Sequence, residues 1–440
     1  MLATMIPLLR NLAKCCARPI GRAFVFMAVA AVSGCFAGPD PLPPEQALAA
    51  AHGRITRLLE QERAFAPDAI TVVPSQTPAT PDRITVWYPA HPIIAPALGR
   101  RDVRAVFERA HPEVRLDAQF IGEWHVAIQK LTVSIAAGDV PDIALVDRSW
   151  AARLAQAGHL MPLDGFLTPK VLDDVHPHVR AAYTLQGRVW ALPADGFCSV
   201  LYFNRDLVAE PPQTWADLRD AGPHTDAPGA LGHLPYVESL WSAGGVVCEL
   251  NQSGLTAPPA IRTLDFLIDL RDTGRVAPRM LENPGWAFET FLRGNVAMTA
   301  GSSEWFPRTG NAAFTVGMAP LPGEEGPVSR LGDKALVVFA RHARAKRAGI
   351  VAVLDFLTGP AVQGAEAASR GSVPVRQSVL EGVDVPEGLR DAYEAAQAPP
   401  FIGVWTAVEH ELLNYLGLAY RWQPEEGGSE ERLPQASSGK

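Results

Sequence analysis

The sequence predicts an α/β fold on mostly parallel sheets, and three features predict it. Strand-like and helix-like segments alternate from Arg83 to Tyr420. The strands are short β-branched or aromatic runs of the buried kind, such as Ile84-Thr85-Val86-Trp87-Tyr88 and Asp142-Ile143-Ala144-Leu145-Val146. The chain has 440 residues, 48% apolar and 20% charged, enough for two or more domains with large cores.

The N-terminus carries the most specific local signal. A basic segment ends at Arg22, an apolar run covers Ala23 to Val32, and Ser33-Gly34-Cys35 follows. Basic, then apolar, then small residues make a secretory signal. Residues 36–82 read as a tether. Pro39, Pro41, Pro43 and Pro44 stiffen its start, Glu45 to Ala64 forms a short helix, and the Pro- and Thr-rich stretch 74–81 makes a second linker. The folded part is expected to begin at Arg83.

From there the elements follow in order. Ile84–Tyr88 is a strand stopped by Pro89, and a helix with Val103, Val106 and Phe107 ends before His111-Pro112. Val114 to Ala118 is the second strand. Trp124 to Ala137 is a helix with Ile128, Leu131 and Ile135 on one face, closed by Gly138. The third strand is Asp142–Val146. Ser199 to Phe203 is an apolar strand, and Thr214 caps a helix from Trp215 to Asp220. Ile261 to Arg271 is an amphipathic helix that Gly274 stops; Lys334 to Phe339 is a strand; Ala345 to Leu357 and Val404 to Tyr420 are helices. Residues 424–440 are polar and rich in Gly and Ser, and are expected to be disordered.

Charge and motifs exclude several functions. The formal net charge is −8, and without the four cations of residues 1–34 the chain carries −12, which is contrary to a nucleic-acid binder. No Gly-x-Ser-x-Gly elbow, Walker A loop or His-Glu-x-x-His is present, so no enzyme class is indicated, and no cofactor or metal motif is found. Past Cys35 only Cys198 and Cys248 remain, with no ligand-spaced partners for zinc. Whether they pair with each other or stay separate thiols is open.

The Ser33-Gly34-Cys35 ending resembles a bacterial lipobox, which implies cleavage before Cys35 and lipidation of its sulfur. Phe36 follows, in place of the Asp that retains lipoproteins at an inner membrane, so the choice of membrane is open.

Over residues 83–420 the chain resembles the family 1 extracellular solute-binding proteins, the carbohydrate-type binding subunits of ABC importers. The resemblance rests on blocks in the family's order: Ile84–Trp87, Ala137–Asp142, Ala157–Asp164, Leu201–Leu207, Pro211–Leu218, Phe291–Met298 and Gly371–Arg376. It implies a two-lobed fold of the type II periplasmic-binding-protein kind, with a ligand cleft between lobes. The implied lobes are 83–194 plus 312–372 and 195–311 plus 373–423. It further implies a monomer that captures a sugar or related polyol and docks on importer membrane subunits.

A sugar site needs aromatic platforms rimmed by polar groups. By resemblance, Trp305 is the expected stacking aromatic, with Glu304 beside it as a hydroxyl acceptor. Tyr236 and Trp241 lie in a segment where relatives carry ligand-facing aromatics. Tyr88 and His91 follow the first strand, at the end where open α/β sheets bind ligands. Trp124 opens a helix in a similar place, and Asp147 and Trp150 follow the third strand. Asp195 lies at the crossover between lobes. Arg376 is expected to reach the cleft or to form an interlobe ion pair. Leu331-Gly332-Asp333-Lys334 departs from the family's Gly-Gly pattern, so a charged solute such as a glycerol phosphodiester stays open, as does a ligand-free structural or sensory role.

Overall fold

In the computed structural model residues 40–65, 83–220, 231–249, 252–276, 281–341 and 343–423 are described. The segment 1–34, Cys35, the linker at 74–81 and the tail 424–440 lie outside them. Leu42 onward forms one contact unit.

The expected boundary at Arg83 is corrected by the first helix, α1 (Pro44–Phe65). Ala47, Leu48, Ala51, Ile55 and Leu59 recur at helical spacing and are all buried. They pack on the C-terminal helix, which the Leu42 N–H bond to the Leu418 carbonyl and the Arg54–Glu411 ion pair also hold. The helix is part of the folded core, not of a tether.

The first sheet begins with β1 (Arg83–Tyr88), β2 (Arg115–Phe120) and β3 (Ile143–Asp147), which run parallel. Ile84 and Val86 are fully buried, as a strand with a core-facing side requires. Helix α2 (Trp124–Ala137) stops at Gly138, which takes the left-handed φ of +71° that glycine adopts without strain. Helix α3 (Arg148–Gln156) starts directly from β3. Then β4 (Ala191–Pro193) closes the first pass.

The second sheet is built on β5 (Ser199–Asn204), flanked by β6 (Met298–Ser302) and β7 (Val316–Ala319). Both neighbours are antiparallel to β5, so the expectation of mostly parallel sheets holds only for the first three strands. Around it lie α4 (Tyr236–Ser242), α5 (Pro258–Asp272) and α6 (Pro284–Leu292). Trp215 stacks on Phe266 of α5 at 4.2 Å, and Tyr202 sits 5.0 Å from Phe288. The pairing of β7 with β5 corrects the expected lobe border: 316–319 belong to the second sheet, although 312–372 had been expected in the first lobe.

The chain then returns. β8 (Lys334–Val338) inserts antiparallel between β3 and β4, giving the order β2-β1-β3-β8-β4. Helix α3 packs on β8, helix α7 (Arg347–Thr358) packs on β1 through Gly349 against Ile84, and α8 (Trp405–Arg421) ends the described chain. The crossings between the sheets lie side by side. Cys198 bridges Leu331, and the Val373 N–H reaches the Gly196 carbonyl. A Cβ at Gly196 would come within 2.1 Å of the Val373 carbonyl oxygen, so this crossing needs a residue without a side chain. Two lobes therefore meet along a narrow set of strands, with a cleft above them.

Candidate ligand-binding cleft

The first-lobe wall is built by the chain leaving β1. The His91 ring is buried, and its Nδ1 accepts from the Ile93 and Ile94 N–H groups at 3.2 and 3.1 Å. That fixes the tautomer: Nε2 carries the proton and donates to Asp195 Oδ2 at 2.8 Å. Asp195 Oδ1 accepts from the Phe197 N–H at 3.1 Å. These two expected site residues are thus brought together, and they fasten the loop after β1 to the start of the crossover.

Beside them, Lys334 stands opposite Asp147 in the β8–β3 register. Its ammonium lies 2.6 Å from Asp333 and 4.2 Å over the Trp124 ring. Asp147 Oδ1 caps α3, accepting from the Trp150 N–H at 2.9 Å and the Ser149 hydroxyl at 2.7 Å. Trp150 lies under the Arg153 guanidinium at 5.6 Å. Tyr88 is buried against Phe120, 5.9 Å between centroids, and belongs to the first-lobe core.

The second-lobe wall centres on Trp305. Its half-buried ring lies against Gly301, where any Cβ would come 2.7 Å from the ring, and 4.9 Å from Phe288. Trp305 walls a cavity of about 260 Å³ together with Phe197, Ser199, Glu238 and Arg330. Glu304 is exposed beside it. Partial desolvation pushes its carboxyl above the usual range, the Asp195 carboxylate adds to this, and Lys334 opposes it.

Glu238 and Arg330 were not foreseen. Glu238 is 5% exposed, and burial raises its carboxyl despite the opposing pull of Arg330. Arg330 is hydrogen-bonded to Glu409 of α8; burial works against its charge, and the Glu409 carboxylate more than offsets this. A second cavity, of about 480 Å³, adjoins the first and shares His233, Pro235, Glu238, Pro284 and Arg330 with it. The signal for Glu238 was present: it is the single carboxylate in the apolar run Leu234 to Trp241.

Two expectations are corrected. Tyr236 is buried, and its hydroxyl donates to the Ala260 carbonyl at 3.0 Å, so α4 turns Glu238, not Tyr236, toward the cavity beside Trp305. Trp241 is half-buried against the lobe core. Of the two alternatives left open for Arg376, the structure shows the ion pair: its guanidinium bonds Asp174 at 2.7 Å and Asp355 at 2.6 Å, which takes up its charge. Cys198 and Cys248 are separate buried thiols, and burial pushes each up to about 12. Among the described residues no three His, Cys, Asp or Glu side chains gather to hold a metal ion.

Two lobes, a hinge of adjacent strands and an aromatic cavity with buried polar groups define a solute-binding protein rather than a packed structural domain. The chain belongs to the bacterial extracellular solute-binding protein family, whose profile it matches over residues 92–364. It is similar to the maltotriose-binding protein of Pyrococcus abyssi, 25% identical over 63% of this chain and 66% of that protein, just under two thirds of its length. In fold it is like the sugar-binding protein MalE of Xanthomonas citri (21% identity, 76% of this chain, 92% of that one, TM-score 0.64). It is also like UgpB of Mycobacterium tuberculosis, solved with glycerophosphocholine (20% identity, 78% and 93%, TM-score 0.60). Likeness at this level shows the two-lobed fold.

Proposed function

We propose that the protein captures a sugar or related polyol in the cleft and delivers it to the membrane subunits of an ABC importer. The observation that carries this reading is Trp305, half-buried on a cavity that Glu238 and Arg330 also line. A pyranose ring lays its C–H face on an indole, and its hydroxyls then meet a carboxyl and a guanidinium that can accept and donate. The name of the Pyrococcus relative supports a sugar. The glycerol-phosphodiester alternative, which rests on the Leu331–Lys334 departure, has less support, because Lys334 is paired with Asp333 and Arg376 is engaged by Asp174 and Asp355.

The role is binding without catalysis. The chain is held at the extracytoplasmic face as a monomer by a lipid on Cys35. Among the described residues no helix is long and apolar enough to cross a membrane.

A thermal-shift panel of sugars, polyols and glycerol phosphodiesters on the protein from residue 36 onward tests the reading. A solute that binds only the folded state raises Tm. A rise with a sugar class supports capture; a rise with phosphodiesters alone replaces the solute; no rise across the panel contradicts it.

A further inference from the structure

The charges around the cleft do not balance. Lys334 is neutralised by Asp333, and Arg330 by Glu409. Arg148 is 2% exposed, shut behind the cleft near Tyr183 and Asp333. Glu238 and Glu304, in contrast, have no ion-pair partner within 4.0 Å among the described residues. Asp147 and Asp195 add two more carboxylates: among the described residues their hydrogen bonds come from the cap and the His91 contact, and they share the field of Lys334 with Asp333.

Glu238 is the telling one. It is 5% exposed, it faces the cavity that Trp305 walls, and the nearest guanidinium, Arg330, is already bonded to a second carboxylate. Burial holds this carboxyl toward its neutral form, with the Ser199 side chain as a hydrogen-bond partner, and ionising it is costly unless something supplies the charge. A ligand ammonium in this cavity would supply it, with the Trp305 ring as a second favourable face.

We infer that the solute carries a protonated amine on its polyhydroxy frame, as in an amino sugar or an aminopolyol. The inference rests on the capture reading above and adds the charge of the ligand to it. Lys334 over Trp124 does not oppose it, because Asp333 cancels its charge at 2.6 Å.

The test is calorimetric titration of the full mature protein with four matched probes: glucosamine, glucose, N-acetylglucosamine and glucuronate. Acetylation keeps the frame and removes the charge. Glucosamine is expected to bind about tenfold or more tighter than either neutral probe. Glu238→Gln, which keeps the shape of the side chain, should bring that ratio toward one. Glu304→Gln, at an exposed position where folding is not at risk, should reduce it in part. Titrated at a pH where these raised carboxyls still hold protons, the amine should draw them into the charged form, release protons and give a buffer-dependent heat, whereas glucose should show neither effect. Neutral sugars binding as well as the amine would overturn the inference and leave capture standing. Tightest binding of glucuronate would overturn it too. No binding by any of the four would count against capture of such sugars, and against the inference with it.

Discussion

The His91 imidazole donates its Nε2 proton to Asp195 across 2.8 Å, while two backbone amides hold Nδ1. Both residues are about 5% exposed, and together they tie the first-lobe loop to the interlobe crossover. Gly332 sits against this pair: a Cβ there would come 2.9 Å from Asp195 Oδ1 and 3.1 Å from the Phe197 carbonyl. Asp195→Ala leaves a buried Nε2–H and the Phe197 N–H unpaired, so it should cost about 2–4 kcal/mol. Gly332→Ala should loosen the same contact and weaken solute binding. Urea unfolding of both variants checks this; wild-type midpoints in both would contradict it.

Trp305 packs on Phe288 and Gly301 and also lines the cavity. Trp305→Ala should weaken solute binding about tenfold or more, in the manner of an aromatic anchor, while shifting Tm by only a few degrees. A titration paired with a melting curve separates the two effects. A variant that binds normally would remove Trp305 from the site.

Glu238 gives a pH dependence of known sign. Burial raises its carboxyl in the folded state above the ordinary value of 4.5. Between those two values the folded protein holds a proton that the unfolded chain has released, so stability falls as pH rises through that window. Without solute, the wild type should lose stability faster than Glu238→Gln does as pH rises above the ordinary carboxyl value of 4.5. Parallel urea midpoints for the two proteins would contradict this.

Deleting residues 36–82 strips α1 from α8 and exposes the seat of Leu48, Ile55 and Leu59. At roughly 1.5–3 kcal/mol for each large aliphatic side chain, less the chain entropy recovered, stability should fall by about 3–5 kcal/mol. A domain starting at Arg83 with an unchanged denaturation midpoint would restore the tether reading.

Cys198 and Cys248 are buried, and each thiol is pushed up to about 12. Neither should react with a thiol reagent at neutral pH until the protein unfolds. Fast labelling of either in the folded protein would show that its pocket opens.

The sequence made the first lobe legible because parallel β-α units leave strong marks: buried β-branched runs, then a helix closed by glycine at Gly138. The second lobe was less legible, since β6 and β7 reach β5 from more than ninety residues away and register at that distance has no local signal. Trp305 was readable from its block. Tyr236 and Glu238 lie two residues apart on one helix, and only packing decides which of them faces the cavity. Arg376 looked available because its partners, Asp174 and Asp355, are 202 and 21 residues distant. The helix α1 was read as spacer because its neighbours are proline-rich; its packing surface lies on α8, at the other end of the chain.

The measurement closest to the central claim is calorimetric titration of wild type and Trp305→Ala, side by side, with the solute that raises Tm most. The account predicts one site per chain, with affinity lost by about tenfold or more in the variant. Equal affinity in the two proteins would place the solute outside this cleft and contradict the account.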